Sequence, residues 1–231
     1  MRRAPTLLGA WTAAVYAFVM APIVVVLLAS LTAAEYTSFP PEGLSLRWYL
    51  AIPEHPEFLE SFRISLVVAL VTGAVATALG TPAALVLVRH RFRGRDALNA
   101  FFLSPLMLPA VVLGIALLQF YTLVGLTRTP LALVFGHLII TITLPLVRPG
   151  VVAGATFAVI VSFDDVSVAL FLAGPHSTTL PVRIFSYIEQ TFDPLATAVC
   201  SVLILIALAA VLVIERSIGL GRMFGEETTH D

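Results

Sequence analysis

Two adjacent carboxylates, Asp164 and Asp165, stand inside a long apolar run. A carboxylate at the centre of a bilayer costs about 2.5–3.5 kcal/mol, so a pair there demands partners or water. One arrangement that meets the demand is an aqueous translocation path, suited to a cationic solute. Another is a structural pair bonded to the backbone or hydroxyl groups of adjoining helices. If the helix carrying the pair starts near Pro149, the aspartates lie about 22 Å along it. Neighbouring helical positions point about 100° apart, so one carboxylate can face a path while the other faces a helix. A proton relay is the third use of intramembrane carboxylates. It defines the alternative function, a proton-coupled secondary transporter using Asp164 and Asp165. No inverted internal repeat of the kind such carriers show is found in the sequence.

No enzymatic constellation accompanies them. His55, His90, His137, His176 and His230 are scattered, and none has an i,i+4 histidine partner. The single cysteine, Cys200, excludes an internal disulfide and any CxxC metal site. No Walker A pattern occurs, so the chain does not bind ATP by that loop. The expectation is therefore no catalytic residue, no metal and no cofactor. Pro105 and Pro109, within Ser104-Pro105-Leu106-Met107-Leu108-Pro109, break an apolar stretch. Each removes a backbone donor, which makes them hinge candidates, with a static bend as the plainer reading. Small residues spaced as in Gly150-Val151-Val152-Ala153-Gly154 fit close helix packing.

The elements that hold these residues follow from composition. Of 231 residues, 59% are hydrophobic and 12% charged, against about 45–50% and about 25% in a soluble domain. The mean hydropathy is +1.00. All 13 basic residues are arginine, and the net charge of −1 excludes a nucleic-acid binder relying on a basic face. A helix needs about 20 apolar residues to cross the hydrocarbon core. The expected fold is all-α: one membrane bundle over residues 1–231, of about six spans. They fall roughly at 7–31, 64–88, 99–123, 130–143, 150–173 and 194–214. The first is too long for a signal-peptide core, and no cleavage site leads from it into a polar chain.

Charge sets the orientation. Arg2 and Arg3 precede the first span, and Arg89-His90-Arg91-Phe92-Arg93-Gly94-Arg95 joins the second to the third. Both belong in the cytoplasm by the positive-inside rule. Residues 32–60 carry Glu35, Glu42, Glu54, Glu57 and Glu60 against Arg47 and belong outside. With six spans both termini are cytoplasmic. The fourth span is short: between Pro130 and the turn Leu144-Pro145-Leu146-Val147-Arg148-Pro149-Gly150 only residues 130–143 remain, about 21 Å of helix. Local thinning or shielding by neighbours would accommodate it; the alternative is five spans with residues 130–150 re-entrant.

Several stretches resemble one family. Ser38-Phe39-Pro40-Pro41-Glu42-Gly43-Leu44-Ser45-Leu46-Arg47-Trp48-Tyr49 resembles the outer loop of type I ABC importer permeases, most like the spermidine/putrescine class. Arg91 to Arg95 followed by Leu103 to Pro109 resembles their second cytoplasmic loop and third span. Leu144 to Gly150, Ser162-Phe163-Asp164-Asp165 and Thr178-Thr179-Leu180-Pro181-Val182-Arg183 resemble the region after their coupling loop. The resemblance runs over nearly the whole chain.

It implies a permease subunit of the bacterial inner membrane with no catalysis of its own, moving a polyamine or similar organic cation. It also implies partners: a second permease subunit, two cytoplasmic ATPase subunits and an extracytoplasmic solute-binding protein. One departure stands out. The family's Glu-Ala-Ala coupling loop is absent, and Gly136-His137-Leu138-Ile139-Ile140-Thr141 runs directly into Ile142-Thr143-Leu144-Pro145. Several tens of residues of the resembled pattern are missing where the fourth span is short. What remains for ATPase docking is Leu144, Pro145, Arg148, Pro149 and Gly150, so the chain is expected to be uncoupled.

Overall fold

The computed structural model describes residues 6–142 and 151–218, and every regular element among them is helical. In chain order these are α1 (Thr6–Ala29), α2 (Arg47–Ala51), a 3-10 turn (Ile52–Glu54), α3 (Pro56–Arg89), α4 (Arg95–Met107) and α5 (Ala110–Leu123). They continue with α6 (Pro130–Thr141), α7 (Val151–Asp164), α8 (Ala169–Leu172), α9 (Leu180–Gln190) and α10 (Leu195–Ile218). The chain divides into two compact units, one of residues 1–55 and 188–231, the other of residues 56–187.

In the first unit α1 packs on α10, and α2 packs beside α10. The apolar faces of α1 point outward, with Trp11 70% and Phe18 81% exposed. Such a surface suits lipid or another helix rather than water. The segment after α1 is pinned by polar bonds. The Thr32 hydroxyl accepts the N–H groups of Ala34 and Glu42, and Trp48 Nε1 donates to the Ala34 carbonyl at 3.2 Å. Arg47 lies 4.5 Å from the Trp48 ring centroid and 3.9 Å from a Glu35 oxygen. Tyr49 ties α2 to both long helices, because its hydroxyl meets Ser30 Oγ at 2.7 Å and also Ser201 Oγ.

The second unit is organised around α3, whose 34 residues reach about 51 Å. Its buried positions, among them Ser61, Ser65, Val68, Thr72, Ala76 and Gly80, recur every three or four residues, which is one helix face. Most are small, so a neighbouring backbone can approach closely. That neighbour is α7: a Cβ placed on Gly73 would overlap Val159 Cγ2. A core of Val68, Leu113, Leu117, Leu133, Val168 and Leu172 joins α3, α5, α6 and α8.

Among the described residues, three helical stretches are long and apolar enough to cross a membrane: Leu8–Ala29, Pro56–Arg89 and Leu195–Leu212. They contain most of the expected spans 7–31, 64–88 and 194–214. Two expected spans differ from the structure. Residues 99–123 are not one kinked helix but α4 and α5, bent by 103°. Leu108 is extended there (ψ 138°), as a residue before proline prefers to be. Residues 150–173 are also interrupted: α7 ends at Asp164 and the chain resumes helix only at Ala169. The α6 helix has 12 residues, about 18 Å, and coincides with the short fourth stretch. Its start is fixed by Pro130 in the first turn and by Thr129 Oγ1, which accepts the Ala132 N–H at 3.1 Å.

Candidate functional site

The interruption after α7 is built by the aspartates themselves. Asp165 Oδ2 accepts the backbone N–H groups of Val168 at 3.1 Å and Ala169 at 2.9 Å. These are the orphan donors at the start of α8, and a carboxylate oxygen that takes them acts as a helix cap. Bonds to an ionised acceptor are among the stronger ones. A carboxylate placed where a helix would otherwise continue therefore stabilises a turn and restart.

The same oxygen faces α6. His137 Nε2 lies 3.5 Å from Asp165 Oδ2, and His137 Nδ1 lies 2.8 Å from Ser162 Oγ. A neutral imidazole has one N–H and one acceptor nitrogen. The direction of the Nδ1–Ser162 hydrogen bond depends on which tautomer the ring adopts, and Nε2 faces the carboxylate in a close polar contact without a hydrogen bond. The His137 side chain is fully buried and that of Asp165 is 10% exposed. Gly136, the residue before it, makes the approach possible, since a Cβ there would overlap Leu172.

A serine, a histidine and an aspartate in contact suggest nucleophilic catalysis, but the geometry does not serve it. Ser162 is 2% exposed and His137 is 0% exposed, so no substrate carbonyl reaches the hydroxyl. The cluster is a brace between α6, α7 and α8.

Asp164 has the opposite surroundings. It is the last residue of α7, is exposed, and has no hydrogen-bond or ion-pair partner among the described residues. The two neighbours thus divide into one carboxylate consumed by structure and one left open. No group of histidine, cysteine and carboxylate side chains able to hold a metal occurs among the described residues.

The other expected site residues are placed as follows. Pro105 lies inside α4 and Pro109 is the cap residue before α5, flanking the 103° bend. Leu144, Pro145, Arg148, Pro149 and Gly150 lie outside the described residues. The stretch Thr178 to Arg183 is anchored on α3, where Ser65 Oγ accepts the Leu180 N–H at 2.7 Å and Arg183 Nε donates to Ser61 Oγ at 3.4 Å. Sequence reasoning missed His137 and Ser162. The usable signal was a histidine in one apolar run and a carboxylate in the next, each too costly to bury without the other.

No family model matches the chain. Individual proteins do. It is 26% identical to the spermidine/putrescine transport system permease protein PotC of Escherichia coli K12, over 88% of this chain and 90% of that protein. It is 25% identical to the putrescine transport system permease protein PotI of the same organism, over 82% of each. The probable molybdenum ABC transporter permease protein of Haloferax volcanii is 31% identical, over 65% of this chain and 72% of that protein. The PotC alignment runs over 240 positions, more than the 231 residues here. Since 88% of 231 residues is about 203, about 37 of those positions fall on gaps in this chain. A polytopic helical fold, an open carboxylate beside a braced one, and relatives matched over most of their length lead to one conclusion: the chain belongs to the family of ABC transporter permease proteins, multi-pass membrane subunits of a transporter complex that are not themselves enzymes.

Proposed function

We propose that this chain is the permease subunit of an inner-membrane importer and contributes the path for a small organic cation of the polyamine type. The relatives carry the names of different solutes, polyamines in two cases and molybdenum in the third, so family alone does not choose among them. The observation that carries the choice is Asp164. An open carboxylate at the end of an apolar helix is costly in lipid and favourable opposite an ammonium group. Its neighbour Asp165 is occupied by backbone N–H groups and His137, so Asp164 is the member of the pair free to meet a solute. A proton relay gains no support, since the relatives are transport-system and ABC transporter permease proteins by name.

The partners that complete the machine are a second permease subunit, cytoplasmic ATPase subunits and an extracytoplasmic solute-binding protein. The arginines at 2–3 and 89–95 support a cytoplasmic position for both termini. Pro105 and Pro109 are the proposed hinge between inward-open and outward-open states, at the bend between α4 and α5. About 37 positions of the PotC alignment fall on gaps in this chain, a number in keeping with loss of a coupling loop and with an uncoupled permease.

The test is labelled spermidine binding to the purified chain in detergent or nanodiscs, which does not require ATPase coupling. Saturable binding that putrescine competes and that Asp164→Asn weakens at least tenfold, with Asp165→Asn folded and less affected per molecule, is the expected result. No saturable binding, or equal binding by wild type and Asp164→Asn, overturns the assignment.

A further inference from the structure

The loop between α3 and α4 is five residues long, 90–94. It and its flanks hold Arg89, His90, Arg91, Arg93 and Arg95, with no acid before Asp96. Arg95 is committed to the fold: its Nε donates to the Leu87 carbonyl at 2.6 Å and closes the C-terminal end of α3. Arg89, Arg91 and Arg93 are exposed and have no partner among the described residues. Three free guanidinium groups therefore crowd one tight turn, whose sharpness comes from Gly94 at φ +90°.

The apolar surface runs right up to this turn on both sides. Val88 is 74% exposed immediately before Arg89, Phe92 is 41% exposed within the loop, and Phe101 is 70% exposed on α4. Arginines flanked this closely by exposed apolar side chains suit the border between hydrocarbon and water, where lipid phosphates lie. Beside them, a recess of about 270 Å³ is lined by Ala84, Leu87, Val88, Arg95, Asp96 and Asn99. Asp96 on its wall repels a bare anion but accepts hydrogen bonds from headgroup hydroxyls, as Asn99 also can.

We propose that this turn is a binding site for an anionic phospholipid, with the phosphodiester on Arg89, Arg91 and Arg93 and a hydroxyl-bearing headgroup in the recess. Guanidinium forks match phosphate oxygens in a way a point charge does not, and each basic residue at the membrane surface strengthens attraction to anionic lipid about fivefold. The site depends neither on the solute nor on which side of the membrane the loop occupies. An acidic soluble partner is the competing occupant, and the short, apolar-flanked turn argues against it.

The experiment titrates the full chain in detergent with fluorescent phosphatidylglycerol and, separately, phosphatidylcholine. Phosphatidylglycerol should bind at least tenfold more tightly. The Arg89→Gln/Arg91→Gln/Arg93→Gln variant should lose that preference, and the corresponding triple lysine variant should keep part of it. Should the glutamine variant insert poorly, salt decides on the wild type: the preference must shrink steeply between 0.05 and 0.5 M. Equal binding of the two lipids, or a preference insensitive to salt, overturns the proposal. So does retention of an ATPase subunit through these arginines without any lipid preference.

Discussion

Asp165 Oδ2 sits 3.5 Å from His137 Nε2 while accepting the N–H groups of Val168 and Ala169. One oxygen thus serves two backbone donors and faces one ring. The consequence is a fixed break between α7 and α8, beside which Asp164 has no partner among the described residues.

The brace predicts a split between the two carboxylates in stability. Asp165→Ala removes a cap worth about 1 kcal/mol and the polar group facing buried His137 Nε2, for a total near 1–3 kcal/mol. Asp164→Asn touches no partner and should stay within about 0.5 kcal/mol of wild type. Thermal unfolding of both variants in one detergent checks the order. Equal loss in the two would refute the brace.

Gly73 gives a packing test remote from the carboxylates. Its missing side chain lets α3 meet Val159 of α7, and a larger residue forces the pair apart. Overpacking of this kind costs about 1–3 kcal/mol. Gly73→Leu should lower the melting temperature, whereas Leu79→Ala, at an exposed position on α3, should not. An unchanged melting temperature in Gly73→Leu would show that the two helices do not pack closely here.

Composition and spacing made the helices legible: the periodic small residues from Ser61 to Gly80 and the uninterrupted run of α10 leave few alternatives. The breaks were less so. Pro109 signals an interruption, but its 103° angle depends on what α4 and α5 pack against, which local sequence does not encode. At Asp164 and Asp165 the sequence states that two charges need partners and not which one has them. That depends on His137, 28 positions upstream of Asp165, and on Gly136, whose lack of a side chain admits the close approach to α8.

Orientation is testable by labelling. With Cys200 replaced by alanine, a cysteine at Glu54 should react with an impermeant reagent added outside, and one at His90 should not. Both positions lie outside the long apolar helices; Glu54 and His90 are exposed. His90 serves better than Gly94, whose φ of +90° disfavours any side chain. The reverse labelling pattern would turn the whole topology over.

Coupling is the last and most consequential test. In the resembled family an ATPase cleft grips one cytoplasmic helix, and this sequence has only Leu144 to Gly150 in its place. Those seven residues include Pro145 and Pro149, each excluded from a helix interior, and two turns of helix need about seven residues. If that lever is lost, as proposed, ATP binding would make no contact that differs between the two permease states, and a ligand with equal affinity for both shifts nothing. The chain as it stands should insert in membranes and give no ATP-driven uptake in vesicles carrying the ATPase and binding protein. Grafting a Glu-Ala-Ala loop between Thr141 and Ile142 should restore ATPase association in pull-down, with uptake following it. Stoichiometric copurification and uptake by the unmodified chain would mean that the drive enters elsewhere, with the Arg89–Arg95 turn the first place to probe.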